Sequence, residues 1–220
     1  MSLWPTDEGH SNIAFTGFYE LDLSERLTKH ARQGGLMIDA GANYGYFSLL
    51  WAAASIQNRV LAFEASPRNH AALNKNVTLN GLISQIRIFD MAVGKEAGTL
   101  SFSLGAQDET GWGGFSDSDN EKTVLVSVVT LDSRISEDQQ IEVLKIDVEG
   151  ADTWVLYGAK KLLESKRIKH VYFEQNKERM RLLGIRDTEA PDFLRKVGYT
   201  VKPLNDPNSG LVEYYATAEA

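Results

Sequence analysis

A chain of 220 residues, 43% of them apolar, can bury one substantial core and lies within the size range of a single α/β domain, so residues 1–220 are read as one domain. The formal charge of −7 gives no general basic field for a phosphate backbone or an anionic membrane surface, which argues against nucleic-acid and membrane partners. The absence of cysteine excludes disulfides, thiol nucleophiles and thiolate metal sites, and the four histidines, His10, His30, His70 and His170, are scattered without ligand spacing.

The start, MSLWPTDEGH, has no basic stretch followed by an apolar one, and no apolar run approaches the roughly 18–20 residues of a membrane span, so a soluble cytoplasmic protein is expected. Residues 1–34 form an N-terminal segment with a helix at 21–33, where Leu21, Leu23 and Leu27 have helical spacing and Gly34-Gly35 supplies the stop. A short buried strand at 36–38 follows. From Asn43 a helix is expected to run through Leu49, Leu50, Trp51 and Ala54. Residues 60–63 make the next strand. Ser66-Pro67 starts a helix, with serine suited to the cap and proline to the first helical position, and Asn80-Gly81 ends it.

Residues 86–89 give a third strand, after which residues 97–131 interrupt the alternation. Both 98–104 and 123–131 have strand composition, and the tract GAQDETGWGGFSDSDN between them does not suit regular structure, so an inserted antiparallel hairpin with a long loop is expected. Residues 142–147 resume the βα order. Ala151, Trp154, Val155, Gly158 and Leu162 then form one apolar helical stripe. A fifth strand at 171–173, a helix at 190–197 and a strand pair at 199–204 and 211–216 close the chain. Strands alternating with helices imply an α/β fold with a doubly wound, mostly parallel sheet.

In such a sheet the ligand lies beyond the carboxyl ends of the strands, where strand order reverses. The first strand runs into IDAGANYG, which puts Asp39 before a turn containing Gly41, Ala42, Asn43 and Gly45. Dinucleotide folds seat a pyrophosphate at this place with G-x-G-x-x-G; here Asn43 stands where the second glycine belongs, and Asp39 would face a pyrophosphate with like charge. A ligand with an ammonium group suits the turn better. Glu64, 23 residues after Gly41 and followed by Ala65, is placed to grip ribose hydroxyls. Asp90, with Met91 beside it, would meet the adenine. Ribose, ammonium and no pyrophosphate together describe S-adenosylmethionine. Each of these carboxylates alone would also serve as a helix cap or turn former.

VLKIDVEG is the least ordinary segment, because alternation buries Lys145 and Asp147 in a strand covered on both faces. Either these groups and Glu149 pair internally and only fix the strand end, or they converge at the sheet's carboxyl edge to work on ligands. In the second reading Asp147 meets the methionine end of the cofactor, while Lys145, Glu149 and Glu174 face the acceptor and supply a proton acceptor. Several carboxylates also suit Mg²⁺, but no metal ligand is assigned. Trp112 and Phe115 in the loop either cover an acceptor or pack back on the domain, and Tyr44, Tyr46 and Phe47 are read as core or cofactor-wall residues.

The chain resembles the FkbM family of S-adenosylmethionine-dependent methyltransferases. The resemblance runs from GFYE at Gly17 to Glu174, through IDAGANYGYFSLL, VLAFEASPRN, AVGKEAG, TLD at Thr130 and LKIDVEGAD followed by VLYGAKKLL. Asp152 stands where the family often has glutamate. Membership implies a seven-stranded Rossmann-like fold and, usually, methylation of a hydroxyl on a sugar, glycoside or polyketide-type natural product. The competing readings are a nicotinamide-dependent oxidoreductase and a catalytically silent binding module.

Overall fold

The computed structural model describes residues 1–3, 7–104, 113–115 and 123–219. Two helices, α1 (Glu8–Thr16) and α2 (Leu21–Ala31), precede the first strand, β1 (Leu36–Ala40), and the chain continues through α3 (Tyr46–Ala54), β2 (Arg59–Phe63), α4 (Pro67–Leu79) and β3 (Ile86–Phe89). The interruption consists of β4 (Ala92–Val93), β5 (Gly98–Ser103), β6 (Gly114–Phe115) and β7 (Thr123–Val129). After α5 (Leu131–Arg134) come β8 (Ile141–Ile146), α6 (Asp152–Gly158), α7 (Lys160–Glu164), β9 (Ile168–Asn176), α8 (Lys177–Leu182), α9 (Glu189–Lys196), β10 (Tyr199–Pro203) and β11 (Leu211–Ala218).

The main sheet has seven strands in the order β10-β11-β9-β8-β1-β2-β3, parallel except where β11 runs against both neighbours. The doubly wound, Rossmann-like architecture is therefore as expected, including the closing strand pair. Strand order reverses between β1 and β8, so their carboxyl ends border the crevice. Alternation along the strands divides the core. Ile38, Ala40, Leu144, Ile146, Val171 and Phe173 pack beneath α6, α7 and α9, while Met37, Val143 and Tyr172 face the other way with Leu27, Phe47 and Trp51.

The expected hairpin is present, with Gly98 opposite Val128 and Ser103 opposite Thr123, but it belongs to a separate four-stranded sheet in the order β4-β7-β5-β6. The strand expected to reach Leu131 stops at Val129, because the Thr130 side chain accepts the Ser133 amide and caps α5. Asp132 of the TLD motif caps a second helix, accepting the Lys161 and Leu162 amides at 2.9 and 3.1 Å. The stripe expected to lie on one helix is split between α6 and α7 at Ala159. Trp112 and most of the tract 105–120 lie outside the described residues.

Two glycines hold the β1 turn in place. Gly41 has φ +80°, and a Cβ there would lie 1.8 Å from the carbonyl oxygen of Asp147; at Gly45, φ +90°, it would lie 2.5 Å from the Leu73 side chain. The bare backbone thus serves contact between the β1 turn and the end of β8, and between the turn and α4; Gly41 also borders the cleft, as its reading for ligand approach requires, and Gly45 does not. Gly41→Ala is expected to cost more than about 3 kcal/mol in urea denaturation, since strain and collision combine. Gly81→Ala, at φ +68° with open space around it, should cost about 1–2 kcal/mol. Equal losses would mean that the contact at Gly41 is unimportant.

Candidate active site

Asp39 and Lys145 are register partners on β1 and β8, one residue from the end of each strand, and they project to the same face as Met37 and Val143. Lys145 is 3% exposed and its ammonium has three acceptors: Asp39 Oδ1 at 3.5 Å, Asp147 Oδ2 at 3.2 Å and the Gly41 carbonyl at 3.3 Å. Ser48 of α3 donates to the other Asp39 oxygen at 2.6 Å. Burial alone pulls the Lys145 pKa down, but Asp147, Asp39 and Glu20 more than offset this, so the net displacement is upward and the group stays charged. Asp39 is buried in this arrangement and does not line the cavity. The internal ion pair considered from the sequence is real, and it leaves the Asp147 side chain 31% exposed at the crevice.

The turn after β1 offers little to an anion. The amides of Gly41 and Ala42 both donate to the Phe63 carbonyl at 2.9 Å, that of Gly45 donates to Ala42 at 2.8 Å, and that of Asn43 donates to Glu64 Oε2 at 2.6 Å. Helix α3 begins at Tyr46, three residues later than the sequence suggested, because Asn43 and Gly45 both adopt left-handed backbone, φ +50° and +90°. A diphosphate cradle needs several free amides, and here four are occupied. Glu64 is 5% exposed; its second oxygen accepts the Ser66 amide at 2.8 Å.

A cleft of about 250 Å³ opens at this edge. Of the residues singled out from the sequence, Gly41, Ala42, Asn43, Glu64, Ala65 and Met91 form one wall. Lys145, Asp147, Glu149, Glu174 and Phe115 form the other. Tyr44, Tyr46 and Phe47 also line it, as wall residues. Phe115 reaches the cavity from the small sheet while resting on Trp154 at 5.7 Å, so it covers the cleft and packs back at once. Asp90 is exposed and lies outside the lining, although the next three residues, Met91, Ala92 and Val93, belong to it. Gly45 sits behind the wall against Leu73.

Three residues were missed. Tyr19 and Glu20 border the cavity from the start of α2, and Glu20 itself occupies the left-handed cap position at φ 42°. Asp152 is 2% exposed and accepts the Val148 and Glu174 amides at 3.3 and 3.0 Å, fastening the ends of β8 and β9 to each other. GFYE and LKIDVEGAD contain all three, but only contacts distant in sequence reveal their place. Glu174 is not at the end of its strand as expected; β9 runs two residues further, to Asn176.

The carboxylates are crowded. Burial first, then the charge of Asp147, pushes Glu20 up to about 7, Asp152 up to about 7 and Glu149 up to about 8, the last despite Arg179 at 3.5 Å. Burial followed by Asp147, Asp152, Glu149 and Glu20 pushes Glu174 up to about 10. Without a cation in the cleft, several of these groups keep their protons at neutral pH.

Above pH about 4–5 the unfolded chain has lost protons that these four carboxyls retain in the fold. Their contribution to stability is complete below that range and disappears as pH rises through about 7 to 8 for Glu20, Asp152 and Glu149 and through about 10 for Glu174. The urea midpoint is therefore expected to fall between pH 6 and pH 9, and to fall less in Glu149→Gln. A midpoint that climbs across this interval would contradict the assignment.

Known proteins fit this layout. The chain is 38% identical over 64 residues to "Methyltransferase sdnD" of Sordaria araneosa, covering 29% of this chain and 25% of that protein. It is 28% identical over 143 residues to "Methyltransferase 1" of Beauveria bassiana, covering 56% of this chain and 57% of that protein. The matches thus span from a quarter to somewhat over half of those relatives' own length. The crystal structure of methyltransferase FkbM from Methylobacillus flagellatus KT superposes with TM-score 0.58 at 15% identity, over 84% of this chain and 43% of that one, a likeness of fold. The description "Methyltransferase FkbM domain" matches residues 39–201, which takes in the β1 turn, Glu64, the small sheet and the Lys145 cluster, and the chain belongs to the FkbM methyltransferase family.

Proposed function

We propose that this chain transfers the methyl group of S-adenosylmethionine to a hydroxyl oxygen of a small molecule. One observation carries the reading: the cleft is lined by carboxylates, its buried lysine is already engaged by three acceptors, and the turn amides that would hold a diphosphate are occupied. Such a lining favours a cation over a phosphate ester. The residues fit the cofactor at both ends. Asp147, partly exposed, and Glu20 suit the ammonium group, and Glu64 has lone pairs left for ribose hydroxyls after accepting its two amides. Met91 and Ala65 give an apolar flank for adenine.

When bound, the cofactor supplies an activated methyl carbon: a bond from the acceptor oxygen forms as the sulfur–carbon bond breaks, and the hydroxyl proton must leave to a base. The protein's share is alignment and proton removal. Glu174 is the group assigned to the proton. Tyr172 and Glu174 share the strand face that carries Lys145, so the Glu174 carboxyl projects into the crevice beside Asp147. Crowding makes it a stronger base than an isolated glutamate, and a cation nearby favours its ionised form. Lys145 acts as a positioning residue, holding Asp147 at 3.2 Å. Glu149, tied to Arg179, and Phe115 border the acceptor side. The hydroxyl as acceptor rests on the family resemblance and on this base.

The direct test incubates the purified chain with S-adenosylmethionine and a panel of hydroxylated glycosides and polyketides, with mass spectrometry to detect added methyl groups. Failure to bind the cofactor at millimolar concentration in calorimetry would sink the reading. Glu64→Ala should weaken cofactor binding by about 1–3 kcal/mol; unchanged affinity removes Glu64 from the site. Glu174→Gln should lower kcat by roughly 10²–10⁴ with little change in cofactor affinity. Equal losses in both would assign Glu174 to binding instead.

A further inference from the structure

At the end of the sheet opposite the cleft, the fold brings together two histidines that are 140 positions apart in the chain. His30 is the penultimate residue of α2, and His170 lies near the start of β9, paired in register with Val143. Their rings are 4.1 Å apart, centroid to centroid, and Glu142, near the start of β8, places Oε1 3.8 Å from His170 Nε2. One potential ligand atom from each of the three residues lies within 4.8 Å of the others. The scattered spacing read from the sequence is thus corrected: two of the four histidines converge. We propose that His30, His170 and Glu142 form a site for one divalent first-row transition-metal ion, of which Zn²⁺ is the representative.

The chemistry of the donors supports this. Imidazole and carboxylate suit zinc and its neighbours, and three protein ligands with water in the fourth position is an ordinary arrangement for exchangeable zinc. Each ring is oriented by a tyrosine. Tyr215 Oη engages His170 Nδ1 at 2.8 Å, which leaves Nε2 toward Glu142, and Tyr172 Oη engages His30 Nε2 at 3.1 Å. A hydrogen bond at one nitrogen fixes the ring and frees the other for a metal. Lys169 holds the remaining Glu142 oxygen at 2.6 Å, so Oε1 is the one available. Metal ligands about 2.0–2.2 Å from one ion stand roughly 3.3 Å from each other, so the three groups need to close by up to about 1.5 Å.

Three half-buried ligands leave the ion in contact with water and suggest moderate affinity. The ion would pin the carboxyl end of α2 to the sheet, while the other end of the same helix carries Glu20 into the cleft. This inference does not depend on the cofactor or the reaction.

The test uses the untagged full chain, stripped with a chelator, and Zn²⁺ titrated by calorimetry. One equivalent should bind with a dissociation constant in the micromolar range. His30→Gln and His170→Gln should each weaken it at least tenfold, and Glu174→Gln in the cleft should leave it unchanged. Long-range proton–nitrogen NMR of the wild-type imidazoles should show two of the four histidines perturbed by Zn²⁺, a readout that does not rely on the variants folding. No binding up to several hundred micromolar Zn²⁺, binding abolished by Glu174→Gln but kept in both histidine variants, or NMR changes outside His30 and His170 would each overturn the proposal.

Discussion

The ammonium of Lys145 is the group on which the crevice depends. It lies near the carboxyl ends of the paired strands β1 and β8, between Asp39 behind it and Asp147 before it. A buried charge without a partner is strongly destabilising, so the ammonium and the two aspartates depend on one another at the strand ends. Asp39 is enclosed in the arrangement: Ser48 donates to Oδ2, and Oδ1, which has no hydrogen-bond donor, lies 3.5 Å from the Lys145 ammonium. Asp147 is partly exposed, and after burial its charge is the next cause that raises the affinity of Glu20, Glu149, Asp152 and Glu174 for protons.

Crowded carboxyls are a reserve of binding energy for a cation. Each has its affinity for a proton raised, and a positive ligand takes over the proton's role, so the cleft is unsatisfied when empty and relieved when filled by positive charge. The same crowding raises the basicity of Glu174, which links recognition of the methyl donor to removal of the acceptor's proton. The small sheet completes the enclosure: Phe102 and Phe115 come to the cavity from β5 and β6, outside the strands that carry the charges. Charge and cover are thus contributed by separate parts of the chain.

Much of this was legible in the sequence because it is local. The βα rhythm, the hairpin at 98–129, the buried charges of LKIDVEG and the acidic residue that ends β2 all follow from periodicity and residue type. What depended on contacts across the chain was misread or missed. Gly45 looked like room for a ligand, yet Leu73 fills that space, and Gly41, which does line the cleft, also makes the close contact with the Asp147 carbonyl. Asp90 matched the pattern of its neighbours, but it is exposed and outside the cavity that Met91 beside it lines. Asp152 and Glu20 gave no sign of their role, since one becomes meaningful only through the Glu174 amide and the other through a cavity formed by residues far along the chain. The His30–His170 pair is hidden for the same reason: ligand spacing can be read within a helix or turn, not across a sheet.

The most direct measurement is the number of protons exchanged when S-adenosylmethionine binds at pH 7, obtained by calorimetry in two buffers of different ionisation enthalpy and compared with S-adenosylhomocysteine, which lacks the sulfonium charge. Crowded carboxyls relieved by a cation predict net proton release, greater for the sulfonium than for the thioether and reduced in Glu149→Gln. Proton uptake, or equal exchange for the two ligands, would contradict the account.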